Sequence, residues 1–165
     1  MAGGGDGASG RPPTEPAGHP DNALHALGFQ YIRITAREVV GRLPVTETCC
    51  QPFKMLNGGV SALIAESTAS LGGYMASGYR RVAGVQLSIN HVKAARLGDT
   101  VQAQAKPIQV GRNIQVWEVQ IWRIDPSTSE CKDLVSTARV TLLSNLPTPE
   151  EMKSYEERIK KYSKL

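Results

Sequence analysis

The sequence has few aromatic residues, few cysteines and no basic run before its C-terminal segment. Phe, Trp and Tyr supply only 5% of the 165 residues, whereas nucleic-acid-binding domains usually show a clustered basic patch or an aromatic-bearing motif. The three cysteines, Cys49, Cys50 and Cys131, fit neither a disulfide framework nor the paired spacing of a zinc site. We therefore expect no nucleic-acid partner and no metal, and we expect a reducing compartment.

The charge of the chain is modestly positive, and the excess lies in its central part. Lys and Arg number 19 against 15 Asp and Glu, and residues 29–148 hold 13 basic against 8 acidic side chains. With 41% hydrophobic and 21% charged residues, the composition is that of an ordinary soluble domain and not of a membrane protein. The excess favours a phosphorylated small molecule as an anionic partner.

Composition divides the chain into three parts. Residues 1–22 contain six Gly and four Pro with almost no large apolar side chain, so we expect a disordered arm. Residues 23–147 form one domain. In residues 148–165, Thr148 as N-cap, Pro149 at the first position and two following acids predict a C-terminal helix.

Short apolar runs predict strands on both sides of one long helix. The helix is expected from about Gly59 to Gly72 or a little beyond, largely buried. The predicted strands are 29–34, 39–45, 82–92, 100–110, 114–124 and 134–143, and the first two could also be one strand with a bend. A change of apolar phase between Val116 and Val119 indicates a bulge or burial on both faces. The order predicts an α+β fold, an antiparallel sheet curled around one helix.

The middle of that helix carries Glu66, the only charged residue between Lys54 and Arg80. A carboxylate in a buried helix is costly unless directed hydrogen bonds hold it, and such carboxylates are typical of active sites. A solvated position on an exposed edge of the helix is the alternative interpretation. The pattern of residues alone leaves both open.

The start of the helix is a candidate anion site. Asn57 can cap it, while Gly58 and Gly59 leave backbone N–H groups unobstructed at the positive end of the helix dipole. A developing oxyanion could bind there. Two glycines are also what a tight loop requires.

Four segments carry a resemblance to a known family, the hotdog thioesterases of the 4-hydroxybenzoyl-CoA thioesterase type. Within that family the chain most resembles the plant 1,4-dihydroxy-2-naphthoyl-CoA thioesterases. The segments are Cys50-Gln51-Pro52-Phe53, residues 57–66 (NGGVSALIAE), residues 84–91 (GVQLSINH) and residues 114–119 (IQVWEV). The resemblance implies a hotdog fold, in which the sheet wraps around the central helix, and hydrolysis of an acyl-CoA thioester.

The resemblance also implies roles for single residues. The catalytic acid of the family falls on Glu66, its oxyanion donor on Gly58, its orienting glutamine on Gln51 and its hydroxyl one helical turn after the acid on Ser70. Where the family usually has histidine before the two glycines, this chain has Asn57, which can cap the helix but cannot titrate. No cofactor is expected, since coenzyme A is part of the substrate.

Further residues are candidates for substrate contacts. Asn57 and Gly59 flank the helix start, Asn90 and His91 could line the substrate channel, and three cations could meet the phosphates of coenzyme A. The cations are Lys93, Arg96 and Arg112. Alternatively, His91 is a structural residue of the sheet whose hydrogen bonds are satisfied, and the three cations are solvated surface residues.

The last three residues, Ser163, Lys164 and Leu165, have the sequence of a peroxisomal address that an import receptor reads. A peroxisomal location is therefore expected. Together with the resemblance it suggests an aromatic acyl-CoA thioesterase of phylloquinone synthesis. A fatty acyl-CoA thioesterase and a catalytically silent acyl-CoA-binding protein are the alternatives.

Helix geometry predicts an active site shared between two subunits. Gly58 and Glu66 are eight residues apart, roughly 12 Å along a helix axis, which is far for one carbonyl group to span. An antiparallel copy of the helix would bring its Glu66 near the first chain's Gly58. We therefore expect a homodimer, with pairing into tetramers left open. A site within one chain is the alternative, if the helix begins later or the substrate bends around it.

Overall fold

The computed structural model describes residues 18–163, which form one six-stranded antiparallel sheet and three α-helices. The helices are α1 (Asn22–Ala26), α2 (Gly58–Ala76) and α3 (Ser154–Tyr162). The strands are β1 (Gln30–Ile34), β2 (Val39–Pro44), β3 (Arg81–His91), β4 (Thr100–Val110), β5 (Ile114–Ile124) and β6 (Cys131–Leu146). The sheet order is β1-β2-β4-β5-β6-β3, which confirms the predicted α+β fold.

The long helix α2 packs on one face of the sheet at very close range. A Cβ atom on Gly72 would lie 2.5 Å from Cη2 of Trp117, and one on Gly73 would lie 2.4 Å from Cδ1 of Leu142. The two glycines therefore sit inside the helix, where there is no room for a side chain. This explains why α2 continues to Ala76, beyond the Gly72-Gly73 pair that suggested its end.

Strand β5 alternates between buried and half-buried residues from Gln115 to Ile121, and the register shift beside Val116 and Trp117 lies on the neighbouring strand, between Pro107 and Gln109 of β4. Its inward residues Gln115, Trp117 and Val119 are buried, while Val116 is only half-buried on the other face. The phase change in the sequence arises because a polar residue, Gln115, faces the core. Its amide donates to the Gly73 carbonyl and accepts from the indole N–H of Trp117 at 2.8 Å, so its buried polar atoms are satisfied.

The two edges of the sheet differ in length. The β1 edge is five residues long, whereas β3 extends over eleven residues and pairs only with β6 among the described strands. Most of β3 is exposed, including Val85, and Val92 just beyond it is exposed as well. A long strand with a free row of backbone N–H and C=O groups is a ready template for pairing with another chain.

The segments on either side of the domain are both partly helical. Helix α1, which the sequence did not predict, begins after Asp21, whose carboxylate accepts from the Leu24 N–H. Residues 18–22, assigned to a disordered arm, are thus partly structured; the rest of that arm lies outside the described residues. The C-terminal α-helix begins at Ser154, five residues after the predicted first position Pro149, because a 3₁₀ turn (Glu150–Met152) comes first.

Three further observations concern the burial of the cysteines, membrane-spanning helices and metal-binding clusters. Cys49 is buried and Cys50 half-buried, whereas Cys131 is exposed. Between residues 18 and 163, no helix is long and apolar enough to cross a membrane. The same part of the chain holds no cluster of three His, Cys, Asp or Glu side chains suited to a metal ion.

Candidate active site

Glu66 lies in the middle of α2, on the edge of the helix that the sheet does not cover. Ile64 and Thr68 on the opposite side are fully buried, whereas Glu66 is exposed in the single chain. Of the two interpretations that the sequence left open, one chain alone therefore shows the exposed edge of the helix. A Cβ atom on Gly84 of β3 would lie 2.5 Å from Oε1 of Glu66, so Gly84 leaves the space that the carboxylate occupies.

The start of α2 presents an unobstructed backbone donor. The Asn57 side chain accepts from the Gly59 N–H at 2.8 Å, as predicted for a cap. That bond leaves the Gly58 N–H as the neighbouring free donor at the positive end of the helix. The ring of His91 closes one side of this site, because a Cβ atom on Gly58 would lie 3.1 Å from His91 Nε2.

A cavity of about 760 Å³ opens beside Glu66. Glu66, Ser70 and Tyr74 follow at intervals of four residues, so they share one face of α2, and all three line the cavity. Leu63, Ser67 and Leu71 complete this side. The structure thus brings together Glu66, the predicted acid, and Ser70, the predicted hydroxyl one turn later. It adds Tyr74, to which the sequence assigned no role in the site.

Three tyrosines give the cavity an aromatic lining. Burial raises the pKa of Tyr31 far above its usual value, and it raises the pKa of Tyr74 and that of Tyr155 to about 12. The rings of Tyr74 and Tyr155 are 5.3 Å apart between centroids. The lining also includes the charged side chains of Asp21 and Arg81. The neutral phenols and the apolar side chains favour an aromatic or aliphatic group over a charged one.

Gln51 lies in the turn that leads to α2 and does not line the cavity of its own chain. Its side-chain oxygen accepts from the Phe53 N–H, and its backbone N–H donates to the Met55 carbonyl at 2.8 Å. The turn is held by bridges from Cys50 to Leu56 and from Met55 to Arg96. The orienting role of Gln51 stays a prediction.

The two residues that end β3 face opposite sides of the sheet. His91 contacts the start of α2, as described above, and its neighbour Asn90 pairs with Thr137 on the other face. The single chain therefore brings His91, but not Asn90, next to the helix start.

The three candidate cations are not gathered in one place. Lys93 forms an ion pair with Asp133 at 2.6 Å, and Asp133 also binds Arg123, so the positive charge of Lys93 is partly neutralised. Both cations lower the pKa of Asp133 through hydrogen bonds and charge. Arg96 lies shortly before β4, and Arg112 lies in the turn after it, so these exposed residues mark opposite ends of that strand.

The arrangement separates two chemical functions along one helix. A carboxylate beside an aromatic-lined cavity can attack a carbonyl carbon or deprotonate a water. A free backbone N–H at a helix start can stabilise an oxyanion. Sequence reasoning missed Gly84, although it stands in the quoted segment 84–91; a glycine interrupting a strand pattern is the signal that could have found it.

The chain is similar in sequence to known thioesterases and thioester hydrolases. Residues 53–130 match the Thioesterase superfamily. The 1,4-dihydroxy-2-naphthoyl-CoA thioesterase 2 of Arabidopsis thaliana is 50% identical over 150 residues, covering 90% of this chain and 96% of that protein. The 1,4-dihydroxy-2-naphthoyl-CoA hydrolase of Escherichia coli is 34% identical over 102 residues, covering 61% of this chain and 74% of that protein.

A solved structure shares the fold at similar identity. The crystal structure of a thioesterase from Haemophilus influenzae has a TM-score of 0.67 and 32% sequence identity, covering 78% of this chain and 85% of that one. This chain belongs to the thioesterase superfamily.

Proposed function

We propose that the protein hydrolyses an aromatic acyl-CoA thioester, 1,4-dihydroxy-2-naphthoyl-CoA, to the free acid and coenzyme A, as a step of phylloquinone synthesis. The observation that carries the proposal is the placement of Glu66 on the wall of an aromatic-lined cavity. The 50% identity to an Arabidopsis thioesterase named for this substrate supports the acyl group.

The reaction requires a nucleophile at the carbonyl carbon and a donor for its oxygen. The Glu66 carboxylate either attacks that carbon directly or takes a proton from the attacking water. The tetrahedral oxyanion that forms is bound by the Gly58 N–H of a helix start. The C–S bond then breaks, and the sulfur of coenzyme A leaves as a thiolate that takes up a proton. When water attacks, this step gives the free acid; when Glu66 attacks, it leaves a mixed anhydride on Glu66, which water then hydrolyses to the free acid and the carboxylate. Asn57, already hydrogen-bonded to the Gly59 N–H, supports the donor without titrating.

The active site is completed by a second copy of the chain. Glu66 is exposed in the single chain, and Gly58 on the same helix is roughly 12 Å away along the axis. The long exposed edge of β3 supports pairing with the same edge of a partner, which covers Glu66 and brings it to the partner's helix start.

A mixed-dimer experiment tests the shared site. Glu66→Ala chains are combined with Gly58→Pro chains after each has been shown to dimerise. One of the two sites in a heterodimer then joins an intact Glu66 to an intact helix start, so hydrolysis should reappear on subunit exchange. Verified heterodimers without recovered hydrolysis would place the whole site within one chain.

The substrate is tested with a small panel of thioesters, with release of free thiol as the measurement. The expected result is the highest kcat/KM with 1,4-dihydroxy-2-naphthoyl-CoA. A preference for straight-chain acyl-CoA would make the protein a fatty acyl-CoA thioesterase. Binding of the esters without turnover would make it an acyl-CoA-binding protein.

The peroxisome is the proposed location, on the strength of the Ser163-Lys164-Leu165 sequence. Lys164 and Leu165 lie outside the described residues, and Ser163 follows directly on α3. Fluorescent protein fused in front of the chain should enter peroxisomes, and deletion of Leu165 should leave it in the cytosol. Import that survives the deletion would contradict the assignment.

A further inference from the structure

The cavity beside Glu66 is built from two parts of different origin. Its near side belongs to α2, which lies within the residues that match the thioesterase superfamily. Apart from Arg81 and Val82 of β3, the rest of its lining, here called the far wall, comes from segments outside that match, before residue 53 and after residue 130. The wall residues include Pro20, Tyr31, Pro149, Met152 and Tyr155.

The two flanking segments hold each other in place. The Tyr155 hydroxyl donates to the Pro20 carbonyl at 2.8 Å, which joins the C-terminal segment to the segment before α1. Helix α3 is anchored by Ile159, which is completely buried. The ring of Tyr155 also packs against Tyr74 of α2. The far wall is therefore an ordered surface of the domain.

We propose that this far wall, formed by Tyr31, Met152 and Tyr155, binds the acyl group of the substrate and sets its selectivity. The inference rests on the proposed function, because it takes Glu66 as the group that meets the thioester carbonyl. With the carbonyl at Glu66, the cavity is the adjoining space into which an acyl group can extend.

The size and lining of the cavity suit a fused aromatic ring system. A volume of about 760 Å³ lies in the range of small-molecule sites and exceeds what a short acyl chain would fill. The rings of Tyr74 and Tyr155, inclined at 54° to each other, offer a face and an edge to a planar ligand. The polarizable side chain of Met152 adds a contact that aromatic rings favour.

The test measures binding of the two halves of the product separately. The probes are 1-hydroxy-2-naphthoic acid, a stable analogue of the acid, and coenzyme A. The variants are Tyr155→Ala, which removes the ring, and Tyr155→Phe, which removes only the hydroxyl that reaches Pro20. Met152→Ala is a second wall variant at a half-exposed position, where folding is not at risk.

Tyr155→Ala is expected to raise the Kd of the naphthoic acid about tenfold, and Met152→Ala should raise it severalfold. Tyr155→Phe should stay within about twofold of the wild type, since the ring remains. The Kd of coenzyme A should not change in any variant. Turnover of the aromatic ester should show the loss mainly in KM, with kcat retained.

Other outcomes separate this inference from the proposed function. If all variants bind the naphthoic acid with the same Kd, or if they lose naphthoic acid and coenzyme A binding in parallel, the far wall does not bind the acyl group as proposed. Absence of naphthoic acid binding to the wild type would overturn the role of the wall as well. If the acid binds as expected but the wild type does not hydrolyse the aromatic ester, the proposed function fails while the wall remains a site for aromatic acids.

Discussion

Replacement of Gly84 by alanine should displace the Glu66 carboxylate, the proposed catalytic group, while leaving the fold intact. The new methyl group would lie 2.5 Å from Oε1 of Glu66, and ordinary contact begins near 3.4 Å, so the carboxylate must move by about 0.9 Å. A misplacement of about 1 Å in a reacting group can cost on the order of 10²-fold in rate. We therefore expect kcat to fall about 100-fold.

The fold should tolerate this change. Gly84 is exposed, its φ lies outside the left-handed region, and the atom that must give way is the end of a flexible side chain. The assay is steady-state hydrolysis, together with the melting temperature and the oligomeric state. Ser88→Ala, at an exposed position of the same strand, is the matched control and should keep wild-type kcat.

A double-mutant cycle decides whether Gly84 acts through Glu66. In a Glu66→Gln background, Gly84→Ala should cause almost no further loss, because both changes act on the same group. An unchanged kcat for Gly84→Ala alone would refute the reasoning. Equal fold-losses in the two backgrounds would show that Gly84 acts elsewhere, for example on pairing of the β3 edge.

Two further predictions concern stability, both measured by chemical denaturation. Gly72→Ala gains up to about 1 kcal/mol in helix propensity, but its methyl group would lie 2.5 Å from Trp117. Because overpacking costs about 1–3 kcal/mol, we expect a net loss in the free energy of unfolding. A clear gain in stability would contradict the close packing. The Tyr31 hydroxyl is buried without a partner in the described part of the chain, so Tyr31→Phe should be neutral or stabilising by about 1 kcal/mol. Because burial raises the folded-state pKa of Tyr31, wild-type stability should fall as the pH rises above about 10, the usual phenol value, and the fall should be less steep in Tyr31→Phe.

Patterns with a fixed period gave most of the fold. The alternation in β4 and β5 predicted both strands with their observed bounds, because one face of each meets α2 and the other does not. The helix was predicted for the same reason, but its end was not. A pair of glycines usually indicates the end of a helix, and only the close contacts of Gly72 and Gly73 with Trp117 and Leu142 explain why they lie inside one.

The parts of the site that come from distant segments could not be predicted. Glu66 was identified from its isolation among uncharged residues and from the family resemblance, yet its exposure depends on which edge of α2 the sheet leaves open. The proximity of Gly84 to Glu66 and of Tyr155 to Pro20 arises from tertiary packing across long stretches of chain. No local period encodes such contacts.

The central claim is that the Glu66 carboxylate carries out thioester hydrolysis, and Glu66→Gln tests it most directly. Glutamine keeps the shape and much of the hydrogen-bonding capacity of glutamate but can neither attack nor take up the proton. The measurement is kcat with 1,4-dihydroxy-2-naphthoyl-CoA for wild type and variant, with substrate binding and melting temperature as controls. We expect kcat to fall at least about 10²-fold with binding and folding retained. A variant that folds, binds and turns over at close to the wild-type rate would contradict the account.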